Sequence, residues 1–296
     1  MSRGSRGDDR PDRADRTDRP DREIDSLPRV RAEDLPMERL ALPRDEAREL
    51  IEFRGREYHL TGSETRALAT AGAFRVISPD DLGDEAGGRD IWHGSWQRLA
   101  DQGLITRETI TDRDGARHLV ALTREGKALL DAHATPRSDG RRQEYYAGIV
   151  KPRELTHDAQ LYQAFRAEAD RIERDGGRLS RVVLDYELKR DYQTFLNRRD
   201  RPEGADVKTD RLVFAEAHDL PVIDGHLELP DLRIEYETAD GRLEHRDVEL
   251  VTEHYSRSQM AGKARAGFSL YRSAGGRGAS GKRGGTPFDP RHMEQL

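Results

Sequence analysis

Residues 229–255 read LPDLRIEYETADGRLEHRDVELVTEHY, two strand-like runs joined across Asp240-Gly241. An Asp-Gly pair between alternating apolar and polar residues is a hairpin signal, because both residue types accept the backbone of a tight turn. Alternation places Asp231, Arg233 and Glu235 on one face of the first run and points Leu232, Ile234 and Tyr236 toward a core. In the second run Asp247, Glu249 and Val251 share a face, with Val248 and Leu250 opposite. Asp231 and Glu249 are therefore expected to converge as oxygen donors of the kind that hold Mg2+. Asp185 or Glu187, at the end of an earlier strand, can supply another oxygen. A phosphate-directed site also needs a positive charge, and position 251 on the same face holds valine. Lys263, from the next helical segment, is the residue whose ammonium can swing in instead. The plainer alternative has Asp231 capping its strand and Glu249 paired with a neighbouring arginine.

Working outward, Thr156-His157-Asp158 reads as a cap leading into the helix AQLYQAFRAEADRIERDG, with Leu161, Phe165, Ala169 and Ile172 as its apolar stripe. A strand, SRVVLDYE, follows, then a polar helical stretch to Arg201. After a charged loop come RLVFAEAH and the strand pair, and SRSQMAGKARAGFSLYRS reads as one helix with a basic face. A lone histidine such as His157 is more often structural than an acid–base group.

Farther upstream the pattern changes. A helix over ETRALATAGAFRVI, capped by Thr61 or Ser63, is followed by a short element beginning at Ser78-Pro79. The stretch IWHGSWQRLADQGLI reads as a third helix closed by Gly103, since glycine accepts the left-handed exit. ITRETIT and HLVALT then form a hairpin, and Thr123 starts a closing helix, TREGKALLDAH. Helix, short helix, helix, hairpin, helix is the order of a winged helix-turn-helix domain. In that arrangement the third helix enters the DNA major groove and the wing touches backbone or minor groove. Candidate DNA contacts are His93, Ser95, Gln97 and Arg98 on the helix, with Arg113 and Arg117 on the wing. The positive field is diluted, because residues 89–127 hold seven Lys or Arg against six Asp or Glu. Trp92 and Trp96, four apart, suit a core face better than base contacts.

Composition bounds the rest. The 296 residues are 34% hydrophobic and 36% charged, so part of the length is expected to remain disordered. Residues 1–40 form a charged leader marked by repeated Asp-Arg pairs, 41–134 the winged-helix domain and 135–153 a linker. Residues 154–273 form a second αβ domain and 274–296 a Gly-rich tail. Absence of cysteine excludes disulfides and Cys-based zinc sites, and with no membrane-length apolar run it points to a soluble cytoplasmic protein. Net charge is −6, yet seven Lys or Arg and no acid lie between Ser256 and Thr286, a local basic surface suited to phosphates. No Gly-rich phosphate loop follows a strand.

Helix, strand, paired strands and helix, carrying Pro230-Asp231 and Glu249, resemble the core of Pro-Asp…Asp/Glu-x-Lys nucleases. The whole pattern covers roughly residues 50–272: a winged helix, Thr156-His157-Asp158, Pro230-Asp231, Val248-Glu249, and a helix with Lys263 and Tyr271. It resembles the replication-relaxation family. The resemblance implies an α+β or α/β chain, a winged helix followed by a restriction-endonuclease-like domain with disordered tails. It also implies double-stranded DNA as partner, with replication or mobilisation proteins of a plasmid or other mobile element. The leading expectation is a DNA-binding accessory protein without nuclease activity, needing no cofactor. The first alternative is a Mg2+-dependent endonuclease with Asp231 and Glu249 as metal ligands and Lys263 as the displaced lysine. A winged-helix transcriptional repressor is the second.

Overall fold

The computed structural model describes residues 30–82, 89–112, 115–149, 154–200, 204, 206–252 and 255–272. Most of the charged leader and all of the Gly-rich tail lie outside the described residues. The described part is a mixed α/β structure with small sheets. Among these residues no helix is long and apolar enough to cross a membrane.

A 3-10 turn, Ala32–Met37, comes first, and although sequence assigns it to the leader, its Leu35 and Met37 are buried. Strands β1 (Glu49–Phe53) and β2 (Arg56–Leu60) pair antiparallel around Arg54-Gly55, both in the left-handed region. Helix α1 (Gly62–Ala73) begins with a reciprocal cap in which Thr61 accepts from the Glu64 amide and Glu64 accepts from the Thr61 amide. Helices α2 (Pro79–Leu82) and α3 (Arg89–Asp101) follow. Gly103, at φ 73°, then turns the chain into β3 (Ile105–Asp112). That strand pairs antiparallel with β4 (Gly115–Leu122), and α4 (Arg124–His133) starts on the Thr123 cap. Residues 135–149 carry no helix or strand, but Tyr145 is buried and its hydroxyl donates to the Pro36 carbonyl at 2.6 Å.

The second half opens with α5 (Leu155–Arg174), then β5 (Arg178–Leu184), α6 (Asp185–Leu196) and α7 (Val207–Ala217). A two-residue pair, β6 (Val222–Ile223) and β7 (His226–Leu227), precedes β8 (Leu232–Glu237) and β9 (Leu243–Val251). Helix α8 (Arg257–Arg265) and strand β10 (Ser269–Arg272) complete it. The sheet order is β10-β9-β8-β5, antiparallel except for the parallel pair β9–β10. Leu232 lies opposite Val248, and Arg233 opposite Asp247.

Both faces of this sheet are covered, which is why β9 is buried continuously from Asp247 to Val251. Leu232, Ile234, Val248, Leu250 and Tyr271 join the main core with Leu161, Tyr162 and Phe165 of α5. Val183 packs with Leu188 and Phe214 on the other side, where Val251, Phe268 and Leu270 form a further cluster. The main core continues into the first half, where the Phe74 ring lies 5.1 Å from Tyr162 and 5.0 Å from Phe165.

RLVFAEAH belongs to α7, which buries Asp210, Phe214 and Ala215 at helical spacing. Three local expectations are revised. SRVVLDYE divides at Leu184, so Asp185 and Glu187 begin a helix rather than end a strand. Thr156, His157 and Asp158 lie inside the first turns of α5, and Asp158 turns to Arg75 instead of capping. Finally, the last helix stops before Gly267 (φ 83°), and Phe268–Arg272 runs into the sheet as its fourth strand.

Candidate functional site

Asp231 precedes β8, and Glu249 sits near the end of β9, so the hairpin brings the two together. The Leu250 amide donates to Asp231 Oδ2 at 2.8 Å, which anchors the first carboxylate on the strand that carries the second. Asp231 in turn offers its backbone carbonyl to the Asp185 amide at 3.2 Å. Asp185 is thus drawn to the same edge, and its carboxyl is raised by burial against the lowering effect of Lys189. Glu187, by contrast, is engaged by Arg181.

Glu249 is 2% exposed. Lys263 reaches it from α8, with Nζ 3.1 Å from Oε1, 3.2 Å from Glu228 Oε2 and 3.0 Å from the Leu229 carbonyl. An ammonium has three protons, and these three acceptors match them. The Tyr255 hydroxyl donates to the same Glu249 Oε1 at 2.6 Å. Oε2 is buried without a hydrogen-bond partner. Burial, joined by the Asp231 charge, pushes the Glu249 carboxyl up to about 7 despite the opposing pull of Lys263 and Tyr255. An unpartnered buried carboxylate oxygen costs free energy unless a proton or a cation meets it.

His157 bridges the other side. Its Nε2 lies 3.3 Å from Asp231 Oδ2 and its Nδ1 3.5 Å from Asp158 Oδ1. Burial lowers its basicity, but the hydrogen bonds and charges of Asp158 and Asp231 prevail and raise it to about 10. It is therefore an imidazolium at neutral pH. Asp158 is itself paired with Arg75 from the first half, at 2.7 Å.

The donor set fits a hard divalent cation in part. Asp231 and the orphaned Oε2 of Glu249 are the two oxygens such an ion would use, with Asp185 nearby. Against this, among the described residues no group of three or more His, Cys, Asp or Glu is arranged to hold a metal ion. A cavity of about 420 Å³ lies elsewhere, lined by Asp219, Tyr236, His245 and Asp247 among others, and none of Asp231, Glu249 and Lys263 lines it.

The candidate DNA contacts are placed less uniformly. Ser95 is buried, with its hydroxyl accepting from Arg98 at 2.9 Å. Arg98 Nε also donates to Glu64 at 2.8 Å, a buried carboxylate that Arg48 holds from the other side. Gln97 is exposed, donating to Asp101 at 2.7 Å and accepting from Arg107 at 2.8 Å. Arg117 is half-buried in β4. The His93 side chain and Arg113 lie outside the described residues. Trp96 is buried in the core.

Sequence reading missed Tyr255, Glu228 and Arg75. Tyr255 had no signal, since β9 ends at Val251 and side-chain alternation does not carry through the turn to 255. Glu228 and Arg75 had none, because their partners are 35 and 83 residues away.

The chain matches no family model, no curated protein and no solved structure.

Proposed function

We propose that this chain acts on double-stranded DNA, and that its second half carries a Mg2+-dependent phosphodiester-cleaving site built from Asp231, Glu249 and Lys263. One observation carries the reading: Lys263 delivers its ammonium to Glu249 from α8 while Val251 occupies the strand position a lysine would otherwise take. Asp231 and Glu249 would hold the ion. Magnesium supplies Lewis acidity toward a phosphate and a more acidic bound water. Lys263 contributes a fixed positive charge where negative charge gathers in the displacement. Tyr255 and Lys263 together keep Oε1 of Glu249 occupied, and the buried, unpartnered Oε2 would be the oxygen offered to a cation.

In this reading the first half is a winged helix-turn-helix that grips duplex DNA, and the second a restriction-endonuclease-like domain. The order α1, α2, α3, β3–β4, α4 supports the first assignment, and the four-stranded sheet with its single parallel edge supports the second. The replication-relaxation pattern makes DNA of a plasmid or other mobile element the substrate class, in the cytoplasm.

A second reading keeps the DNA binding and drops the cleavage. It is favoured by the occupied state of Lys263, whose ammonium is shared between two carboxylates, and by the lack of a three-ligand cluster among the described residues. Incubation of supercoiled plasmid with the full chain and Mg2+ or Mn2+ separates the two. Nicking that disappears in Glu249→Ala and Lys263→Met supports the first; no nicking, or equal nicking by Glu249→Ala, leaves DNA binding alone. A gel shift at low and high salt tests what both share. Absence of any duplex complex at low salt refutes them together, because phosphate contacts are strongest there.

A further inference from the structure

The first half reaches into the carboxylate site. Arg75 follows α1 in a left-handed backbone conformation, φ 67°, a region that a non-glycine residue keeps only where its surroundings hold it there. Its side chain is 3% exposed and lies across the interior boundary between the two halves. The guanidinium donates to Asp158 at 2.7 Å and stacks 3.8 Å over the Tyr186 ring. Tyr186 is fixed in turn by donating its hydroxyl to Glu154 at 2.9 Å. Asp158 turns its other oxygen to His157, and the far nitrogen of His157 meets Asp231. Two residues beyond Arg75, Ile77 is bridged to Val120 of β4, so the same segment is tied to the β3–β4 hairpin.

We propose that Arg75 is a positioning residue of the Asp231–Glu249 site, acting through Asp158 and His157 to set the orientation of the Asp231 carboxylate. The inference rests on the cleavage reading for its metal test. Its physical basis is that buried charges cannot relax into water. Arg75 fixes Asp158, the second oxygen of Asp158 fixes the His157 ring, and the ring fixes one oxygen of Asp231. A partner hydrogen-bonded to a metal ligand, as His157 is to Asp231, orients the ligand and tunes its affinity, and Arg75 acts on that partner from two contacts farther out. The first half is then part of the site itself, and displacement of the β3–β4 hairpin by DNA reaches Asp231 through Ile77, Arg75, Asp158 and His157. A pair that merely glued the halves together would need neither the imidazole bridge nor its alignment on Asp231.

The test uses the full chain with Arg75→Lys, Arg75→Met and Asp158→Asn, and Asp231→Asn as the control that removes a ligand. Mn2+ binding is followed by the electron paramagnetic resonance of the free ion, and the His157 ring by its 15N signals without metal. Arg75→Met is expected to weaken Mn2+ binding about ten-fold and to shift the imidazole signals. Arg75→Lys should recover most of both, while Asp158→Asn, which leaves the fold's packing volume unchanged, should behave like Arg75→Met. Folded Arg75→Met or Asp158→Asn protein with wild-type Mn2+ affinity and unshifted imidazole signals overturns the proposal. If Arg75→Met does not fold, Asp158→Asn decides in its place. If wild type binds no Mn2+, the cleavage reading falls. The positioning of Asp231 then stands or falls on the imidazole signals alone.

Discussion

Replacing Lys263 with methionine should destabilise the protein in a pH-dependent way. The Lys263 side chain is 16% exposed and its ammonium has three acceptors, one of which is Glu249. Glu249 has a folded-state pKa of about 7, raised from 4.5. A raised carboxyl contributes stability that is complete below the unfolded value and is lost as pH climbs to the folded value. At about pH 5.5 Glu249 is protonated in wild type and variant alike. The variant then loses only the bonds to Leu229 and the partly exposed Glu228, about 1 kcal/mol. At about pH 8.5 wild type ionises Glu249 against Lys263, whereas the variant has no cation and must either bury a bare charge or keep the proton. Keeping the proton limits the added loss to about 1.4 kcal/mol per unit above the wild-type midpoint, or about 2 kcal/mol at this pH. That ceiling lies below the about 3–5 kcal/mol expected for breaking a buried pair whose remaining charge cannot neutralise. Urea unfolding followed by circular dichroism, in chelator to exclude metal, measures both values. Equal losses at the two pH values would refute the pairing of Lys263 with an ionised Glu249.

Three other outcomes are expected. Tyr255→Phe removes the 2.6 Å donor to Glu249, which should cost about 1 kcal/mol and move the Glu249 midpoint upward by 13C NMR; an unmoved midpoint contradicts the bond. His157→Gln should reveal a stability gap that is full below about pH 6.5 and closes as pH rises toward about 10, because the folded-state histidine is the stronger base. Unfolding midpoints at both ends check it, and a gap that widens with pH is the opposite result. Gly126→Ala should lower the melting temperature although alanine favours helices, since a Cβ there would stand 2.1 Å from the Leu104 carbonyl. The cost is about 1–3 kcal/mol, and a thermal melt at or above wild type would show that the backbone can yield.

Local chemistry and tertiary placement divide the protein between them. Most elements of the first half were legible because each is announced by short-range physics. Thr61 and Glu64 cap a helix within three residues, Gly103 turns out of the next, and Thr123 opens the fourth. The β8–β9 pairing was legible for the same reason, since Asp240-Gly241 and period-two alternation are local signals. Arg233, Asp247 and Glu249 are polar yet buried, because helices cover that face and each side chain has a charged partner there.

Strand β10 was hidden for a different reason. Ser269–Arg272 becomes a strand only because β9 offers it an edge, and a four-residue segment has too little periodicity to declare itself. The site follows the same rule. Asp231 and Glu249 could be named from residue type and parity, and Lys263 from its place in the next helix. That its ammonium lands 3.1 Å from Glu249 depends on how α8 packs across the end of the sheet. Tyr255, Glu228, His157 and Arg75 take their roles from contacts made through space. Sequence records the chemistry each side chain carries, but burial and long-range packing choose its partner, and with it the charge it holds.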